Sequence, residues 1–215
     1  MNFWEYLGSR HQHLLADAYQ HASVVFQCTV AATVIGVLIG AAACRSDRAG
    51  ALATTAASTL LTVPSLAVIG LLVPVVGLGA APTAIALTLY GLLPIARNAV
   101  VGLRGLDPAL VDAAAGTGMS RAARLARVEL PLAWPPILTG IRVSTRMLMG
   151  IAAVAACASG PGLGHLIFRG IASPDSGDAL NQVLAGTLLI ALLALLFDAG
   201  YVLIGRLTVS GGTRA

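Results

Sequence analysis

The chain has 215 residues, 57% of them hydrophobic and 10% charged, with a formal net charge of +4. Soluble domains carry about 25% charged residues, so this composition excludes an ordinary water-soluble globule and points to lipid as the solvent. All 13 basic residues are Arg, and without Lys the chain lacks the side chain that a P-loop sets on nucleotide phosphates; if ATP drives its work, another subunit must hydrolyse it.

Residues 3–19 place Phe3, Trp4, Leu7, Leu14, Leu15 and Ala18 at roughly helical spacing, which predicts a short amphipathic helix on the membrane surface outside. No cleavable leader is expected, because residues 1–21 hold neither a basic start nor a long apolar core. The first span is expected over 22–43 and the second over 50–76, the latter containing Pro64 and Pro74. The third covers 80–101, the fourth 133–158 and the fifth 180–204. Each is near the ~20 residues that cross ~30 Å of hydrocarbon. The fold class read from this pattern is an all-α, polytopic membrane bundle of five transmembrane helices. The expected parts are an outer amphipathic segment at 1–21, a membrane domain at 22–207 and a tail at 208–215 on the inner side.

Arg placement sets the expected orientation. With the 44–49 loop, the 102–132 stretch and the C-terminus inside, that side holds Arg45, Arg48, Arg104, Arg121, Arg124, Arg127, Arg206 and Arg214. Arg97, Arg142 and Arg146 fall toward the same helix ends, leaving Arg10 and Arg169 outside. The N-terminus is therefore expected outside and the C-terminus in the cytoplasm. No basic patch interleaves with aromatics, so no nucleic-acid partner is expected. Cys28, Cys44 and Cys157 lack metal or redox spacing, and His11 and His13 lack carboxylate support; no metal and no cofactor is expected in this chain. Neither HExxH nor GxSxG occurs, and no catalytic residue is assigned.

The segment from Leu106 to Pro136 is unlike a connector. Asp107 followed by Pro108 is a helix start, with an oxygen at the N-cap and Pro in the first turn. That helix is expected to run through Ala115, with Gly116 and Gly118 ending it, Ser120 capping a second helix and Pro131 limiting the second. A link of about 30 ordered residues is rare. Its chemistry serves two uses: docking into a partner's cleft, or lying on lipid headgroups with Arg121, Arg124 and Arg127 at spacing three.

The segment resembles the EAA loop of ABC importer permeases, in which Glu-Ala-Ala is followed by three residues, Gly, nine residues and Ile-x-Leu-Pro. Asp112, Ala113 and Ala114 match the start, Gly118 the glycine, and Val128, Leu130 and Pro131 the end, with Asp for Glu and Val for Ile. The resemblance runs from about Ala22 to Leu207 and is nearest to permeases for osmoprotectants: glycine betaine, carnitine, choline and related quaternary ammonium compounds. It rests on TVPSLAVIGLLVPVVGLGAAPTAIALTLYGLLPIARN, GLRGLDPALVDAAAGTGM, VELPLAWPPILTGIR and GPGLGHLIFRGI. It implies a type I ABC importer permease fold, docking of the 104–132 stretch on cytoplasmic ABC ATPase subunits that bind the ATP and its Mg, delivery of solute by an extracytoplasmic binding protein, and residence in the bacterial plasma membrane. Five spans are thin for a closed pathway, so a second permease subunit, identical or paralogous, is expected. An ABC permease for another small solute, such as an amino acid, and an ATP-independent channel or secondary transporter are the alternatives.

Three further groups stand out. Pro64, flanked by Thr62 and Ser65, removes a backbone hydrogen bond inside the second span; a gate beside the pathway and a static kink both fit. Asp198 is the acid well inside a span, where a charge is costly and usually paired. Arg97, Arg142 and Arg146 are its candidate partners, in a structural ion pair at the cytoplasmic helix ends or, alternatively, a proton relay. Gly36 and Gly40 form a GxxxG suited to close helix packing, while Gly160, Gly162 and Gly164 mark an outer loop read as re-entrant or as a docking point for the binding protein. Only ten aromatics are present and no cage-like cluster for an ammonium group is visible, so selectivity is expected in the separate binding protein.

Overall fold

A computed structural model describes residues 2–208; Arg214 and the tail expected beyond Thr208 lie outside the described residues. Helix α1 runs unbroken from Phe3 to Ala43. It opens on a capping box, with Asn2 Oδ1 accepting from Glu5 N at 2.9 Å and Asn2 N donating to Glu5 Oε2 at 3.1 Å. Its 41 residues rise about 60 Å, twice the thickness of a bilayer core. The amphipathic stretch at 3–19 is thus no separate surface helix. Nothing between it and the first span breaks a helix, and its buried face, Tyr6 and Leu14, packs on Leu163, Leu166 and Ala185.

The second expected span is two helices. α2 (Asp47–Leu60) and α3 (Ser65–Val76) meet at a bend of 91°. Pro64 does not kink a continuous helix; it is the N-cap of α3, in extended conformation. Pro disfavours helical geometry in the residue before it, so Val63 stays out of the helix that ends at Leu60, and a new one starts at Ser65. At 14 and 12 residues, each half is only about 20 Å long, too short to cross alone.

α4 (Ala80–Arg104) is the central helix, with most of its length buried between α1 and the later helices. Close approach to α1 depends on Gly36 and Gly40. A Cβ at Gly36 would lie 3.0–3.2 Å from Ile95 and Ala96, and one at Gly40 would collide with Ala99. The polar insert follows as α5 (Pro108–Gly116), α6 (Arg121–Arg124), a π-helical turn (Leu125–Glu129) and the single turn α7 (Leu130–Leu132).

α8 (Trp134–Val154) packs on α4, where Ser144 Oγ donates to the Gly91 carbonyl at 2.7 Å. A short 3-10 turn, Ala155–Ala158, ends it, and Ser159 takes a left-handed φ of 58°. The Gly-rich loop after α8 holds a short amphipathic helix, α9 (Gly164–Ala172), seated against the start of α10 (Ala179–Thr208). Among the described residues four helices are long and apolar enough to cross a membrane, and the bent α2–α3 pair, counted as one broken span, brings the number to five.

The two ends of the bundle are chemically distinct. At one end Arg104 Nε and Nη2 donate to the Cys44 and Ser46 carbonyls at 3.0 and 2.6 Å. At that same end Trp134 Nε1 donates to Thr208 Oγ1 at 2.7 Å. At the other, Arg10 lies 3.9 Å from Asp178, and Gly162 packs on buried His21.

Candidate coupling segment and transport pathway

The polar insert is built from local capping. Asp107 Oδ1 accepts from Ala109 N at 2.9 Å, with Pro108 in the first turn of α5. The helix closes at Gly116, with Thr117 Oγ1 donating to the Ala114 carbonyl at 2.8 Å. Gly118 then takes φ +80°, a value glycine adopts without the steric cost other residues bear. No neighbour comes within 4 Å of a Cβ built there. Ser120 caps the next helix, its Oγ accepting from Ala123 N at 3.3 Å.

Asp112, Ala113 and Gly118 are exposed, while Ala114 alone in α5 is buried. α5 thus keeps one small side chain inward and turns Asp112, Ala113, Gly116 and Gly118 outward. Val128 and Leu130 are half-buried and Pro131 is exposed. Pro131 does not stop the helix as its chemistry suggests. The chain stays helical to Leu132 because the preceding turn is wound as a π-helix, with Leu130 N donating to Leu125 O five residues back. Widening the turn makes room for the proline ring against the carbonyl it would otherwise strike.

Inside that turn lies a residue the sequence reading passed over. Glu129 is 6% exposed and its Oε1 accepts from Arg124 Nε at 2.8 Å and Arg45 Nη2 at 3.3 Å. Arg45 follows α1 directly, so one carboxylate ties the insert to the end of α1. An acid five residues after an Arg hints at the first contact; no local signal links Glu129 to Arg45, 84 positions away. Beside this turn an apolar cavity of about 290 Å³ separates Val37 of α1 from Ala126, Leu130 and Pro131.

Within the membrane, Asp198 joins two of its three candidate partners. Arg142 grips both carboxylate oxygens, Nε to Oδ1 and Nη2 to Oδ2, each at 3.0 Å. Arg146 Nη2 donates to Oδ1 at 2.6 Å. Arg97 lies on α4 with its side chain exposed and takes no part. The cluster sits deeper than the helix ends beside the insert: from Trp134 to Arg146 the axis of α8 rises about 18 Å.

The elbow between α2 and α3 leaves Thr62 and Pro64 exposed and Ser65 half-buried as the first residue of α3. Thr62 Oγ1 donates to the Thr59 carbonyl at 2.7 Å. The elbow is held to α4 by Tyr90, whose hydroxyl donates to the Val63 carbonyl at 2.6 Å, a contact absent from the sequence reading. Thr55, Ser58, Thr59 and Thr62 are all exposed and recur at helical spacing along this face. Among the described residues, no group of three or more His, Cys, Asp or Glu is placed to hold a metal.

A five-span helical bundle carrying a two-helix polar insert at its Arg-rich end has the architecture of a membrane transport subunit. Residues 32–209 match the family described as binding-protein-dependent transport system inner membrane component, and the chain belongs to it. The "osmoprotectant import permease protein OsmW" of Salmonella typhimurium is 37% identical over 203 residues, covering 92% of this chain and 93% of that protein. The "glycine betaine/carnitine/choline transport system permease protein OpuCB" of Bacillus subtilis is 32% identical over 193 residues, covering 90% and 87%. In three dimensions the chain superposes on a chain of the inward-facing MetNI methionine ABC transporter with a TM-score of 0.76, at 18% identity, covering 92% of this chain and 96% of that one. The fold is that of a type I ABC importer permease, and the chain is an integral membrane permease component of such a system.

Proposed function

We propose that this chain is the permease subunit of an ATP-driven importer of quaternary ammonium osmoprotectants such as glycine betaine, carnitine and choline. The observation that carries this reading is the similarity over nine-tenths of the chain to permeases bearing those solutes in their names. The permease contributes the solute pathway and no covalent chemistry. ATP-Mg is held by separate ABC ATPase subunits in the cytoplasm, and solute is delivered by an extracytoplasmic binding protein.

In this reading the outward face of α5, with Asp112, Ala113 and Gly118, docks on the ATPase, while Val128, Leu130 and Pro131 join the insert to α8. The concentration of Arg at the insert's end of the bundle supports a cytoplasmic placement, with the N-terminus outside. The exposed hydroxyl face of α2 and the Thr62–Pro64–Ser65 elbow support a pathway between two permease subunits, since hydroxyl groups and free backbone carbonyls are poorly served by hydrocarbon.

The test is ATP-dependent uptake of labelled glycine betaine into proteoliposomes holding this chain, its ATPase and its binding protein, with a Gly118→Trp control. Uptake that needs ATP and is lost in the control supports both the solute class and the docking segment. ATPase activity stimulated only by a binding protein loaded with a different solute keeps the importer and discards the osmoprotectant. Failure to assemble with an ATPase refutes the reading.

A further inference from the structure

The ion cluster on α8 and α10 is placed where a structural salt bridge has no need to be open. Trp134 and Thr208 are hydrogen-bonded to each other at the cytoplasmic ends of the two helices. From there Arg146 lies about 18 Å up α8 and Asp198 about 15 Å up α10, both near the middle of a ~30 Å hydrocarbon core. Yet the Arg146 side chain is 55% exposed. An exposed guanidinium at that depth is costly against lipid tails, and intramembrane charges face a bundle interior or a water-filled cavity. The open space in front of it is a cavity of about 460 Å³, lined by Arg146, Asp198, Ala191, Ala194 and Leu195. That size suits a small solute, and the two alanines keep the wall low beside the charges.

The cluster holds two cations and one anion. Arg142 occupies Asp198 bidentately, the geometry that fixes a carboxylate most firmly. Arg146 is bound to the same carboxylate through Nη2; its remaining N–H donors meet no hydrogen-bond partner among the described residues, and it fronts the cavity.

We propose that Arg146 and Asp198 form a mid-membrane subsite for zwitterionic solutes, in which the solute carboxylate pairs with Arg146 while its trimethylammonium group lies beside Asp198. The net positive charge of the cluster favours a solute that brings its own carboxylate over a bare cation. Glycine betaine and carnitine carry that carboxylate and choline does not. Arg142 serves as the positioning residue that keeps Asp198 in place as Arg146 exchanges partners. This inference rests on the importer reading for the solute class, but its site can be probed apart from uptake.

Two measurements on the assembled complex in liposomes test it. First, Arg146→Gln is expected to lower glycine betaine uptake at sub-saturating solute by about tenfold, the range of a lost charge-assisted bond, while choline uptake is unchanged or raised. An equal fall for both solutes, or none for either, overturns the proposal. Second, Ala194→Cys in a background free of Cys28, Cys44 and Cys157 leaves both charged groups intact. A water-borne charged thiol reagent is expected to label it, and glycine betaine is expected to slow labelling more than choline. No labelling shows that the cavity faces lipid, and equal protection by both solutes shows that the charges do not discriminate; either result overturns the subsite. A complex that imports neither solute while Ala194→Cys shows selective protection refutes the importer reading and leaves the subsite standing.

Discussion

The hydroxyl of Tyr90 donates to the carbonyl of Val63 at 2.6 Å, joining the middle of α4 to the elbow where α2 ends. Tyr90 is 4% exposed, and the carbonyl it serves is one that the 91° bend leaves without a helical partner. Tyr90→Phe keeps the ring and removes the donor, with an expected loss of about 1–2 kcal/mol for an unsatisfied carbonyl. Thermal unfolding of the purified subunit in detergent should show this as a lower midpoint. An unchanged midpoint would mean that water or a second subunit satisfies the carbonyl instead.

Gly40 allows α1 to lie directly on Ala99 of α4. Gly40→Leu has no room without moving one helix, and overpacking of this kind costs about 1–3 kcal/mol. The expected outcome is reduced folded yield by size-exclusion chromatography. Gly8→Leu is the control, because a Cβ there meets nothing within 4 Å. Equal yields for both variants would contradict the packing described for the α1–α4 seam.

The Asp198 cluster predicts an ordered series. Asp198→Asn leaves Arg142 and Arg146 together without their counter-charge, and about 2 kcal/mol of stability should be lost. That is less than the 3–5 kcal/mol of a fully buried pair, because Arg146 stays half exposed. Arg142→Gln, which removes a two-point grip, should destabilise more than Arg146→Gln, which removes one contact. Fluorescence-detected melting of the three variants ranks them; the reverse order for the two Arg variants would show that the bidentate geometry is not what holds the cluster.

Glu129 is bound by Arg124 and Arg45 through one oxygen. Glu129→Gln should lower stability by about 2–3 kcal/mol, since it strips a nearly buried carboxylate from a guanidinium that is itself mostly covered. Arg45→Ala, at a residue 42% exposed, should cost no more than about 1 kcal/mol and lose its effect in high salt. Denaturation midpoints at low and high ionic strength separate the two. A large, salt-independent cost for Arg45→Ala would reassign the tie to α1 as the dominant contact.

Gly118 faces open space at φ +80°, so substitutions there separate backbone strain from docking. Gly118→Asn tolerates the left-handed region and should fold and assemble with the ATPase nearly as the parent does. Gly118→Trp adds a strain of about 1–3 kcal/mol and a bulky ring on the outward face, and should fold yet fail to co-purify with the ATPase. Co-purification of the Trp variant at parental levels would remove this turn from the docking surface.

The solvent, the number of spans and the two-helix insert were all legible in the chain, because apolar run length and capping chemistry are local properties. The apolar runs predict the third, fourth and fifth spans to within a few residues, though not the start of α1 or the break between α2 and α3, and Asp107-Pro108 and Ser120 lie where the two insert helices begin. Only the tertiary structure decided the rest. A proline reads the same whether it kinks a helix, starts one or rides on a π-turn; Pro64 and Pro131 differ because their neighbours satisfy the freed backbone groups differently. The stretch 3–19 is amphipathic in either setting, and α9 and α10 rather than a headgroup layer receive its buried face. Arg97, Arg142 and Arg146 were equal candidates on the page of the sequence, since a sequence gives depth along a helix but not the neighbour across the gap. Distance in space selected Arg142 and Arg146 for Asp198, and set Glu129 between Arg45 and Arg124.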